Sequence, residues 1–151
     1  MYPYFQKSIH SAEAYPNPIA DFLTENPAFG TLIFQVQGGQ GAFPIANATV
    51  TLTKELGEGQ RLSFLTVTDE SGKTKPVSLP APARSLSQKP GQGNVFASYQ
   101  AEISADGYLP VAIRDLPIFD GITTIQPVSL LADFGQKPVI EDVIVDKMPE
   151  L

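Results

Sequence analysis

From Gly30 onward, apolar and polar residues alternate with period two in short runs closed by Gly, Pro, Asn or Asp, and no long amphipathic helical pattern intervenes. Such runs can each bury one face only by stacking sheets on one another. They fall at 31–37, 46–53, 61–68, 73–79, 95–104, 109–113 and 122–131. Seven strands so spaced predict an all-β fold, a seven-stranded antiparallel β-sandwich with Greek-key connections. Leu32, Phe34 and Val36 share one face of the first run, and Ala48, Val50 and Leu52 share one face of the second. Phe96, Tyr99, Ala101 and Ile103 are the main apolar positions of the fifth. Pro76 makes 73–79 an edge strand, because proline cannot donate to a central ladder. Asp69-Glu70-Ser71-Gly72 and Asp106-Gly107 read as tight turns, and Gly38-Gly39-Gln40-Gly41 as another. Residues 107–132 read as a hairpin joined through Ile118-Phe119-Asp120-Gly121.

The boundaries expected are an N-terminal arm at 1–29, the sandwich at 30–132, and a C-terminal arm or extra strand at 133–151. The first arm carries Tyr2, Tyr4, Phe5, Tyr15, Phe22 and Phe29, whereas disordered tails are normally poor in aromatics. A short helix is expected at 19–25, with Asn17 as its cap and Pro18 in its first turn. The C-terminal arm holds five acidic residues against two lysines, and Val139, Ile140, Val143, Ile144 and Val145 make it strongly β-prone. Burying those five side chains is worth at most about 8 to 12 kcal/mol. Ordering seven or eight residues costs a similar amount, at about 1 to 2 kcal/mol each. Docking is favourable only where a receiving sheet edge adds backbone hydrogen bonds.

A net charge of −6 and a pI near 4.6 argue against nucleic acid as a partner. Residues 71–101 are the exception, with Lys73, Lys75, Arg84 and Lys89 and no acid; they form a solvated face or a docking patch. Without Cys, neither disulfides nor thiolate-bound metal can brace the fold. No stretch is long and apolar enough to insert in a membrane, and the first ten residues lack the apolar core of a leader peptide.

The residues offer little chemistry. His10, the one histidine, lies in the N-terminal arm near Ser8 and Ser11, where nothing rigid holds a nucleophile against a base. One His and no Cys do not make a zinc site, and Asp69-Glu70-Ser71 lacks a calcium-loop pattern. Asp69, Glu70, Asp106, Asp115 and Asp120 all fall in turns or beside Gly or Pro, so the sequence pairs no two of them for glycoside hydrolysis. No catalytic, cofactor-binding or metal-ligating residue is expected, and no enzyme activity.

The segments "GTLIFQVQ", "PIANATVTL", "TVTDESGKTKPVSLPAP" and "YQAEISADGYLPVAIRDLPIFDGITTIQPVSLL" together resemble the carboxypeptidase-regulatory-like or transthyretin-like (prealbumin) β-sandwich. The resemblance rests on Pro44, Ile45, Ala48, Val50, Thr68, Asp69, Gly72, Gly107 and Tyr108, and it covers residues 30–132. It implies a core of Leu109, Val111, Ile113, Ile118, Ile125, Val128 and Leu130, with Tyr108 capping one end. The ending "IFDGITTIQPVSLL" further resembles small modules of Gram-positive cell-wall or spore cortex-lytic proteins, which implies a bacterial surface, a spore or a particle. A related fold in pilins forms Lys–Asn cross-links, but strand 30–37 has no Lys and strand 122–131 no Asn or Asp, so none is expected here.

The expected function is that of a structural module that self-assembles, or docks in a larger protein assembly, through its arms. The contact residues expected are Tyr2, Tyr4, Phe5, Tyr15, Lys73, Lys75, Val139, Ile140, Val143 and Val145. The alternative is an accessory module that binds a cell-wall glycan, with Tyr99, Tyr108 and Phe119 as candidate platforms.

Overall fold

The computed structural model describes residues 17–88 and 95–135. It opens with helix α1 (Pro18–Glu25). Asn17 caps it, its Oδ1 accepting from the Ala20 N–H at 3.2 Å, and Pro18 needs no donor at that position. At the far end, Asn26 donates from both its backbone and its side chain to the Phe22 carbonyl, each at 2.8 Å.

Eight strands follow among the described residues: β1 (Ala28–Gly38), β2 (Phe43–Pro44), β3 (Thr49–Gly57), β4 (Gln60–Val67), β5 (Val77–Ala81), β6 (Ala97–Ser104), β7 (Val111–Ile118) and β8 (Thr123–Ser129). The expected count of seven is thus one short. The addition is β2, two residues that fold back on the end of β1 and are too few to show a period.

The strands form two sheets. In the first, β1 is central, with β5 and β2 antiparallel on one side and β8 parallel on the other. The second has the order β4-β3-β6-β7, antiparallel throughout. Two expectations are corrected by this topology. The sandwich is not wholly antiparallel, and residues 107–132 are not a hairpin, because β7 ends one sheet and β8 begins the other. A turn signal between two apolar runs does not reveal whether they pair or change sheet.

The crossing fixes Gly30. A Cβ there would strike the Phe119 carbonyl and the Ile118 side chain, while Gly121 N–H binds the Phe29 carbonyl at 2.9 Å. The turn after β4 is held by Asp69, whose Oδ1 accepts from Ser71 N–H at 2.8 Å and Lys73 N–H at 3.1 Å. It closes through Gly72 at φ +78°, pressed against Val36. Two buried threonines fill gaps in the ladders. The Thr68 hydroxyl accepts from Ala48 N–H and donates to the Ile45 carbonyl; the Thr74 hydroxyl accepts from Phe34 N–H.

The core combines Leu32, Phe34 and Val36 with Ala48, Val50 and Leu52, as their alternation predicts, and adds Leu79, Tyr99, Ile103, Leu116, Ile118, Val128 and Leu130. Five expected core positions differ. Ile125 and Leu109 are exposed, Phe96 is half-exposed, and Val111 and Ile113 only rest against the core. Ile125 lies three residues from Val128, so along a strand the two side chains point to opposite faces. Phe22 of α1 is buried, meeting Tyr99 edge-on at 6.4 Å with the Lys54 ammonium 5.8 Å from its ring centre.

The Phe22→Ala variant is expected to lose about 3 kcal/mol of stability in urea unfolding; a loss under about 0.5 kcal/mol would mean that the helix is not part of the core. The fully buried Tyr99 phenol donates to the Pro80 carbonyl at 2.7 Å, and burial pushes its pKa well above the usual value. The unfolded chain gives up this proton first, near pH 10, so stability holds below that pH and falls as pH rises through it. In an ultraviolet titration, one tyrosine is expected to ionise only as the fold is lost, and Tyr99→Phe is expected to abolish that late step.

Candidate functional site: an open sheet edge

The peptide groups along each lateral sheet edge decide what the surface can accept. In the first sheet, Thr31 N–H binds the Ile122 carbonyl and Leu130 N–H binds the Gln37 carbonyl. Counting in twos between these bonds, the even residues of β8 face β1, and Pro127 faces outward, where it offers no donor. On the opposite side, β1 bonds Gly72 and Thr74 through Val36 and Phe34. Pro76, Pro80 and Pro82 therefore share the outward phase of the β5 side. In the second sheet β6 turns Gln100 and Glu102 toward β3, so Tyr99 and Ala97 bond β7 and Pro117 faces out. Among the described residues, proline blunts three of the four lateral edges.

β4 is the fourth edge. Thr68 N–H binds the Ala48 carbonyl at 2.9 Å, and the same count places Thr66, Phe64 and Leu62 against β3. Arg61, Ser63, Leu65 and Val67 then turn both N–H and C=O away from the sheet. No proline interrupts residues 60–67. Leu65 is 70% and Val67 48% exposed on the outer face, while Leu62 and Phe64 are half-buried on the inner face. The edge is thus apolar on both faces, and no strand among the described residues pairs with its outward peptide groups.

Beside it, the outer face of the second sheet forms a shallow concavity of about 380 Å³, lined by Thr51, Thr53, Glu55, Arg61, Glu102 and Arg114 among others, with no aromatic side chain. Arg61 Nε lies 3.9 Å from Glu55 Oε2, an exposed pair that contributes at most about 1 kcal/mol.

Lys73 and Lys75 are both exposed. Lys73 sits near the end of β4, its carbonyl accepting from Asp69 N–H at 2.8 Å. Tyr2, Tyr4, Phe5, Tyr15, Val139, Ile140, Val143 and Val145 lie outside the described residues, as do His10 and Lys89. Of the three aromatics considered for glycan, Tyr99 is fully buried and Tyr108 and Phe119 are half-buried. Phe119 packs at a tilt of 57° against Phe96, ring centres 5.4 Å apart. Asp69 and Asp120 sit at opposite ends of β1, each bound to backbone N–H groups, Asp120 accepting from Arg84 N–H at 2.8 Å. Among the described residues no group of three or more His, Cys, Asp or Glu could hold a metal ion, and no helix is long and apolar enough to cross a membrane.

No family model and no curated protein matches this chain. Solved structures do. The Bacillus anthracis TIE protein is 13% identical, covering 70% of this chain and 17% of that one, with a TM-score of 0.47. The catechol 1,2-dioxygenase from Pseudomonas arvilla C-1 is 18% identical over 71% of this chain and 53% of its own, at 0.46. GBS52, the minor pilin of Streptococcus agalactiae, is 16% identical over 70% and 45%, at 0.46. This chain spans about half or less of the length of each of these three proteins, and the likeness to a dioxygenase does not make it catalytic.

The β4 edge is not among the residues the sequence singles out, although it carries a signal: 60–67 lacks the proline that marks the runs at 73–82, 117 and 127. Hydrogen exchange is the direct check. If the edge is open, the amides of Ser63, Leu65 and Val67 are expected to exchange at least about a hundredfold faster than those of Leu62, Phe64 and Thr66. Uniform protection along β4 would mean that the edge is already paired.

Proposed function

We propose that this protein is a non-catalytic structural module that assembles with its own copies, or docks into a larger protein assembly, through its terminal segments. The observation that carries the proposal is β4: an edge without proline, apolar on both faces, in a molecule whose other edges are blunted. Natural sheets protect such edges unless another chain pairs there. The sandwich is read as transthyretin-like from Pro44, Ile45, Ala48, Thr68, Asp69, Gly72 and Gly107. With it comes the proposal of a bacterial surface, spore or phage-type particle as the setting. Lys73 and Lys75 would meet the acidic C-terminal segment of a neighbour. The glycan alternative is less well supported, because Tyr99 is taken up by the core and the concavity has no stacking platform.

Light scattering on the full chain and on residues 17–135, which retain α1, tests this reading. The full chain is expected to grow in mass with concentration and the shorter chain to stay monomeric; two compact monomers would defeat assembly with its own copies. Reversing Lys73 and Lys75 to Glu is expected to weaken assembly roughly 3- to 10-fold at low salt and hardly at all at high salt. Indifference to the reversal at every salt concentration would remove the electrostatic contribution alone.

A further inference from the structure

We infer that β4 is the acceptor edge for residues 139–145 of a second copy of this chain, which add to the second sheet as a fifth strand. The inference rests on the proposed assembly through terminal segments and names the two surfaces that meet. An edge with Leu65 and Val67 on one face and Leu62 and Phe64 on the other is satisfied only by a strand that is apolar on both faces. A strand of ordinary alternation would leave one side uncovered. In 139–145, Val139, Val143 and Val145 fall on one face and Ile140 and Ile144 on the other.

Length and chemistry agree. Seven residues, 139–145, match the seven from Arg61 to Val67, a span of about 23 Å. Proline stands only outside the donor, at Pro138 and Pro149, so every amide within it can bond the outward peptide groups of β4. Glu141, Asp142 and Asp146 bring negative charge to the edge whose Val67 end leads through the Asp69 turn to Lys73.

Reach favours a second copy over the same chain. Asp133 N–H binds the Gly107 carbonyl at 2.8 Å, beside the turn between β6 and β7. From there to a strand beyond β4 the path crosses β6, β3 and β4, about 17 Å at about 4.8 Å per strand spacing. The six residues from Asp133 to Val139 extend to about 20 Å at most, so pairing within one chain needs a nearly straight link. A neighbouring copy has no such limit. One donor and one acceptor per copy make a head-to-tail contact, which propagates into a ring or filament.

The test uses three full-length proteins: the unaltered chain, Leu65→Lys with its edge spoiled, and Val143→Asp/Val145→Asp with its donor spoiled. Val67→Lys serves as a second edge variant, and circular dichroism melting confirms that each is folded. Light scattering after gel filtration is expected to show growth with concentration for the unaltered chain and a monomer of 16.2 kDa for each variant. An equimolar mixture of the edge and donor variants is expected to form a complex of twice that mass and no larger, since only one productive contact remains.

If both edge variants assemble like the unaltered chain, or the mixture stays monomeric, the β4 inference is overturned while assembly through the terminal segments stands. If the unaltered chain is itself monomeric at every concentration, the inference and the proposed assembly with its own copies fall together.

Discussion

β1 is hydrogen-bonded along both sides and buried along one face, and the rest of the molecule is arranged around it. Leu32, Phe34 and Val36 are fully buried, so this strand has to sit where two layers close over it. Its partner β8 runs parallel, and a parallel partner cannot arrive by a short turn from the neighbouring strand. The chain therefore leaves the second sheet at Ile118, passes against Gly30 and enters the first beside Thr31. On the other side of β1, the ladder changes partner from β2 to the Gly72–Thr74 turn and then to β5. The buried Thr74 hydroxyl covers the resulting gap by accepting from the Phe34 amide. Crossover, glycine and threonine all follow from one strand being central.

The inward pattern of β1 and β3 was legible because residues 31–37 pair with β8, and residues 49–55 with β4, without a register shift. β7 shows how the same signal is obscured. Its apolar residues fall at 111 and 113, then at 116 and 118, and the spacing of three reflects a bulge in which Arg114 and Asp115 together oppose Gln100. The phase of burial changes there, from odd to even. Leu116 and Ile118 are consequently buried, while Val111 and Ile113 reach the core only partly. β8 is misleading for a related reason: Ile125 and Val128 are equally apolar, yet period two sends only Val128 inward. Apolar content alone identified β8 as a strand without fixing its face or its sheet.

The helix was legible from its capping residues, but its place in the core was not, since one aromatic in an eight-residue helix carries no address. The candidate edge lay between these extremes. Prolines are visible in the sequence, but whether a given proline faces a partner or solvent depends on register, and register is a property of the folded ladder. Only once the bonds at Ile122, Leu130 and Thr68 are known does the lack of proline in β4 separate it from the other edges.

The inner face of β4 is covered in part by the helix. α1 packs against β3 and β4, with Phe22 against Tyr99 and under Lys54. At eight residues it is about 12 Å long, while β4 spans about 26 Å. The helix shields part of that inner face, and Leu62 and Phe64 remain half-buried. With Leu65 and Val67 exposed on the outer face, the short helix leaves an edge that a strand apolar on both faces can complete.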